Sequence, residues 1–316
     1  MSSSLVSLGC LYLYWKTQRA ATEHHVSGEE DSLDHDPLVY TTIKALLFAP
    51  SILGIVKFLL FVRGKSSLPA QAWRRVLESH SKYQLLKLAY LSMMAMYFGV
   101  GLPNLALDYF KYPQCLYKHK IQKEYEVDYG VMLPKLASTL VQNLLGPMLL
   151  SFAMSQAQKD RVAELVFDHV LDIGPDLPSF WQVVRNYWTF ACTYDIFFFY
   201  SHWALHTKTL YARIHKQHHE WKSPTALAAA YAHPIEYVLS NIAPAAIPLV
   251  FAKQHLLSFL LYAHVGLLVT LTDHSGYEFI NTSAAHNIHH RTFTSNFGVS
   301  GLMDRVYGTR VLDSKD

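Results

Sequence analysis

The chain has 316 residues, of which 51% are hydrophobic and only 16% are Asp, Glu, Lys or Arg, against roughly 25% charged in an ordinary soluble domain. That composition excludes a disordered chain and leaves little charge with which to cover a water-exposed surface. A formal net charge of +3 offers no electrostatic footprint for nucleic acid, and three scattered cysteines without a CxxC indicate neither a disulfide framework nor a thiolate metal site.

The apolar run 5–15 is too short to span a bilayer as a helix, which takes roughly 17–25 residues. No Lys or Arg precedes it, so a cleaved secretory signal is not expected. Residues 16–37 are polar, acidic and aperiodic, and segment 1–39 reads as a partly disordered N-terminal region. Residues 40–62 are apolar apart from Lys44 and Lys57, placed near the ends where their stems can snorkel. They predict a first span. A basic connector (Arg63, Lys65, Arg74, Arg75) leads to apolar runs at 85–107, with one lysine, and 136–154, with no charge. Helical hairpins across a membrane fit these runs better than buried helices of a large soluble all-α protein.

The acid-rich connector 155–176 ends in Asp176-Leu-Pro-Ser179, which reads as a helix start before residues 180–205. Residues 234–273 are largely apolar, broken by Glu236, Pro244, Pro248 and the polar trio Lys253-Gln254-His255. Two crossings of about eighteen residues fit this stretch, with the turn at the trio. The expected fold is an all-α integral membrane helical bundle of transmembrane hairpins with a cytosolic histidine-rich di-metal cap. Its expected divisions are N-terminal membrane helices and connectors over 40–174, a histidine-bearing catalytic domain over 175–312, and a tail at 313–316.

Twelve of the eighteen histidines lie between His202 and His290, where an even spread would put about five. His202 and His206 are four apart, one above the other on a helix face. His215, His218 and His219 have spacing i, i+3, i+4, and His286, His289 and His290 repeat it. In each trio the first residue shares a face with both others, while the adjacent two diverge by about 100°. That geometry suits two metals. Uncoordinated, eight imidazoles beside a membrane would need eight separate polar partners. If 234–273 crossed the lipid only once, the last trio would lie about 30 Å from the others; a re-entering helix pair brings it back.

Imidazole-only ligation suits Fe, Zn, Cu or Ni. No HExxH occurs and carboxylates near the trios are few, which disfavours a carboxylate-bridged di-iron bundle. Asp195, seven residues before His202 on the same helical face, either orients a ligand from another helix or lines a wet cavity without touching the site. A metal transporter would hold its ligands near the bilayer midplane, whereas here each group follows the end of a span. A non-catalytic protein with a structural zinc site stays open as an alternative.

The motifs HxxxH, HxxHH and HxxHH, with IHKQHHEWKSP at 214–224, AHPIE at 232–236, DHSGYEF at 273–279 and DRVYGT at 304–309, resemble the sterol desaturase/fatty acid hydroxylase superfamily of membrane di-iron monooxygenases. They are nearest its branch of C4-methylsterol oxidases and fatty acid hydroxylase domain-containing proteins, and the resemblance covers about 175–312. One departure is Asn287, where related enzymes often have aspartate. The resemblance implies that His202, His206, His215, His218, His219, His286, His289 and His290 ligate two iron ions, with His274 and then His233 as further ligands. It implies hydroxylation of an unactivated C–H bond of a sterol or long-chain lipid by O2, with desaturation on the same centre as the alternative. No GxGxxG or P-loop is present, so electrons are expected from a partner, which the resemblance implies is cytochrome b5 or its reductase drawing on NAD(P)H. The cations Lys208, Arg213, Lys216, Lys222, Arg291, Arg305 and Arg310 either dock that donor or are ordinary cations beside phospholipid. The expected address is the endoplasmic reticulum membrane.

Overall fold

The computed structural model describes residues 67–277 and 284–311. The expected N-terminal region 1–39, the span 40–62 and the tail 313–316 lie outside the described residues. Residues 68–316 form one compact unit, helical apart from a two-residue parallel strand pair and one isolated bridge among the described residues.

In chain order, α1 (Leu68–Ser79), α2 (Lys82–Phe110), α3 (Tyr129–Ala153) and α4 (Gln156–His169) precede strand β1 (Leu171–Asp172). Then come α5 (Phe180–Leu205), α6 (Lys208–Arg213) and two 3-10 turns, His215–Glu220 and Ala226–Ala230. Next are α7 (Pro234–Phe251), strand β2 (Gln254–His255), α8 (Leu256–His274), α9 (Ala284–Thr292) and α10 (Leu302–Tyr307). Helices α2, α3, α7 and α8 are long and apolar enough to cross a membrane. Leu149, Leu150, Phe152, Val250 and Phe251 stand exposed on α3 and α7, as lipid-facing side chains must.

Three helices begin with the same device. Ser81, Ser155 and Ser179 each accept a hydrogen bond from the backbone N–H three residues on, and Gln84, Gln158 and Gln182 reach back to the N-cap. Such boxes satisfy two of the N–H groups a helix start leaves open. Helices α3 and α7 each widen into a π turn, at Val141–Leu145 and Tyr237–Ile242. Pro147 and Pro244 stand second after these turns and have no N–H for the carbonyl four residues back. In α3 the Tyr90 hydroxyl also donates to the Leu144 carbonyl within the π turn.

Two cores hold the unit. One surrounds the buried turn Ala226–Ala230 with Tyr97 of α2, Leu136, Leu140 and Leu144 of α3 and Leu271 of α8. Gly101 makes this possible: a Cβ there would lie 2.2 Å from Leu227 Cδ2, so no larger residue allows α2 to approach the turn so closely. The other core, at the opposite end of α2 and α8, joins Trp73, Leu85, Phe167, Leu171, Leu249 and Leu256. Both cores draw on residues before and after position 174. The expected boundary at 174–175 therefore falls inside a single packed unit.

The expected turn at Lys253-Gln254-His255 is the site of β2, which pairs with β1, and His255 Nδ1 accepts from Leu257 N at 3.2 Å to start α8. The chain thus returns after α7 to the end of the bundle from which it came.

Candidate metal centre

Helices α5 and α8 run toward one end of the bundle, and there the histidines meet. His202 and His206 leave the end of α5, His274 ends α8, the turn His215–Glu220 supplies three, and α9 supplies His286, His289 and His290. Nine imidazoles fall into two groups whose ligand atoms lie within 4.8 Å of one another: His202, His206, His215, His219 and His289 in the first, His218, His274, His286 and His290 in the second. Adjacent residues part company, His218 from His219 and His289 from His290, as the divergence of neighbouring helical side chains requires.

Within the first group the Nε2–Nε2 separations are 3.2 Å for His202–His215, 3.0 Å for His215–His219 and 3.2 Å for His219–His289. Within the second they are 3.3 Å for His218–His274, 3.1 Å for His274–His286 and 3.0 Å for His286–His290. The other ring nitrogens explain why such contacts are unstable on their own. Nδ1 of His202 donates to the Phe297 carbonyl at 2.7 Å, of His289 to Ser295 at 2.8 Å, of His274 to Thr270 at 2.8 Å and of His218 to Tyr231 at 3.3 Å. A carbonyl only accepts, so in these rings Nδ1 carries the proton and the neutral ring leaves Nε2 as a bare lone pair. In the His218–His274 pair two bare lone pairs face each other across 3.3 Å.

Protonation does not relieve that repulsion. Burial, reinforced by neighbouring imidazoles, holds His215, His218, His219, His286, His289 and His290 well below the ordinary histidine range. A cation between the nitrogens does relieve it, and the donor set fits one in each group. With metal–nitrogen bonds of about 2.1 Å, adjacent ligands in a six-coordinate site lie about 3.0 Å apart and in a tetrahedral site about 3.4 Å. Five donors with edges near 3.0 Å match the higher coordination. His206 Nε2, buried without a protein partner, adds the fifth donor.

His233 stands apart from both groups. Its Nδ1 accepts from Ile235 N at 3.2 Å and caps the start of α7. Asp195 does line up below His202 on α5, but its carboxylate turns to the loop beyond α9, accepting from Val299 N (3.2 Å), Ser300 N (2.9 Å) and the Ser300 hydroxyl (2.8 Å). It pins the segment whose Phe297 carbonyl holds His202. Asp304 completes that cage by accepting from Phe297 N (2.7 Å) and Gly298 N (2.8 Å).

Two features escaped the motif reading. Glu236 Oε1 lies 2.8 Å from His215 Nδ1, both side chains fully buried. Its carboxyl thus contacts a clustered histidine, and its only sequence signal is its place in AHPIE. Second, Lys120 Nζ reaches Asp108 at 2.8 Å and donates to the Pro224 and Ser275 carbonyls at 2.8 and 3.1 Å, while the Tyr277 hydroxyl donates to Asp108 at 2.7 Å. This buried tether ties the loop after His219 to the residue after His274.

Residues 188–309 match the family model for fatty acid hydroxylases, and this stretch holds all nine clustered histidines. Fatty acid hydroxylase domain-containing protein 2 of Macaca fascicularis is 37% identical over 136 residues, 42% of this chain and 41% of that protein. Lathosterol oxidase of Homo sapiens is 32% identical over 147 residues, 44% of this chain and 49% of the oxidase. A Dictyostelium discoideum protein named for methylsterol monooxygenase activity is 28% identical over 233 residues, 67% of this chain and 78% of that protein. The chain thus spans about half or less of the length of the first two. No solved structure matches it.

Proposed function

We propose that the protein is a membrane-bound di-iron monooxygenase hydroxylating an unactivated C–H bond of a sterol or long-chain lipid, a reading supported by the match of residues 188–309 to the fatty acid hydroxylase model. The facing lone pairs of two histidine groups, each group spaced for one ion, carry this conclusion. His202, His206, His215, His219 and His289 would hold one iron, and His218, His274, His286 and His290 the other. Such a pair of irons supplies O2 reduction and C–H oxidation.

The protein's share is positional. Backbone carbonyls of Phe297, Ser295, Thr270 and Tyr231 fix which ring nitrogen faces the ions. Asp195 and Asp304 hold the loop that carries one of those carbonyls. The buried turn Ala226–Ala230 and the ends of α5 and α8 keep water from the centre. A substrate arriving from the bilayer suits a site built on membrane helices. Electrons would come from NAD(P)H through cytochrome b5 or its reductase, docked on exposed Lys208, Arg213, Lys216 and Arg291 beside the histidines, on the cytosolic face of the endoplasmic reticulum.

The test is twofold. Purified protein should contain two irons per chain and consume O2 when given a reductant. In cells lacking the protein, wild type should restore a lipid profile that His218→Ala does not, and the product distinguishes hydroxylation from desaturation. Zinc in place of iron, or full rescue by His218→Ala, overturns the proposal.

A further inference from the structure

Lys120 lies outside the stretch 188–309 that the family model covers, in the connector between α2 and α3, yet its side chain is buried at the histidine end of the bundle. Its Nζ meets three acceptors: Asp108 at 2.8 Å, the Pro224 carbonyl at 2.8 Å and the Ser275 carbonyl at 3.1 Å. An ammonium has three N–H bonds, one for each. If the proton passes to the carboxyl, the amine keeps two N–H bonds for the two carbonyls, so the link between them survives in either state.

The backbone around Lys120 is fastened to the same segment. Lys120 pairs with Tyr277 in an antiparallel bridge, Ile121 N donates to the Gly276 carbonyl at 2.9 Å, and the Tyr277 hydroxyl donates to Asp108 at 2.7 Å. Gly276 has φ 73°, and a Cβ there would lie 2.9 Å from Nζ, so glycine is what lets the lysine in. One turn before Asp108 on α2, Asn104 holds the other loop, accepting from the Thr225 hydroxyl (2.9 Å) and Ala226 N (2.7 Å). Residues 275–277 follow directly on His274, whereas Pro224 stands well beyond His219 in sequence. The hold is therefore tightest beside the second group.

Resting on the reading above that each histidine group holds one ion, we propose that Lys120 is a positioning residue for the second group. By fixing the backbone that leaves His274, it keeps His274 Nε2 facing His218 and His286, and so sets how tightly that group, more than the first, binds its ion.

Cobalt(II) alone, titrated into the metal-free, detergent-solubilised full chain and followed by visible absorption, tests this, with iron counted in the protein as purified. Wild type should bind two ions per chain. Lys120→Met keeps the stem without the donors; it should bind the second ion about tenfold more weakly or worse, the lower end of what losing an outer partner costs a metal site, and the band that fades should be the one His286→Ala also lacks. Asp108 left alone also lowers the melting temperature. The double variant Lys120→Met, Asp108→Asn leaves no charge unpaired and keeps an acceptor for Tyr277, so it should regain melting temperature without regaining the second ion. Recovery of both in the double variant, equal weakening of the two ions in Lys120→Met, or a wild type that binds other than two ions overturns the proposal. Protein purified without iron that shows the expected cobalt loss removes the oxygenase function and leaves this assignment standing; iron-loaded protein in which Lys120→Met binds both ions as wild type does is the reverse.

Discussion

The two ends of the bundle are built from the same helices by opposite means. Where α2 and α8 begin, Trp73, Leu85, Phe167, Leu249 and Leu256 close on one another, with the Trp73 indole donating to the Gly174 carbonyl at 2.9 Å, His255 capping a helix, and Gln254 and Ser258 buried beside it. Where α5 and α8 end, nine imidazoles, Glu236 and the Lys120–Asp108 pair are gathered out of water. Apolar burial dominates at one end, whereas the other is stable only to the extent that its many polar groups find partners. The contrast teaches that stability and chemistry are separable along a single helix.

Four perturbations probe that separation. Largest is His219→Ala, which removes a donor 3.0 Å from His215 and 3.2 Å from His289; activity should fall by more than the ~100-fold that an outer partner's loss costs, with iron content dropping in parallel. At the other end Trp73→Ala should cost about 3–5 kcal/mol in denaturant unfolding yet leave iron per folded chain unchanged. If it strips the metal as well, the two ends are not independent.

Acid should act chiefly on the histidine end, with His255, also held low by burial, as the contribution from the other. Below about pH 6.5 the unfolded chain takes up protons that the folded site, with His215, His218, His219, His286, His289 and His290 held low, refuses. Stability of the metal-free protein is therefore full above that pH and lost as pH falls, by about 1 kcal/mol per histidine per unit, which thermal melts from pH 7.5 to 5.5 would register. The smallest effect is expected from His233→Ala, a lost N-cap costing about 1 kcal/mol or less with iron content untouched; a loss of iron would reinstate it as a ligand.

Much of the frame was legible from residue order. The run 85–107 lies within α2, residues 180–205 are α5 end to end, and the polar trio after position 252 is the turn between α7 and α8. Hydropathy and serine caps are local properties, so they survive in sequence. Helix α3 starts at Tyr129, ahead of the run 136–154, because Asp128 caps it by accepting from Gly130 N at 2.9 Å. The trio 215–219 folds as a 3-10 turn instead of the expected helix, and His219 leaves helical geometry at φ −88°, ψ 15°. His215 and His219 still share a group. Glu236 and Lys120 could not be read because their partners, His215 and Asp108, come from other elements, and a single buried charge has no period to betray it.

Consecutive residues facing opposite histidine groups have a mechanical consequence. Consecutive Cα atoms are 3.8 Å apart across a trans peptide, so the spans from His218 to His219 and from His289 to His290 act as two rigid struts between the sites. Because those links have fixed length, an ion seated in either group would also set where the other group's histidines begin.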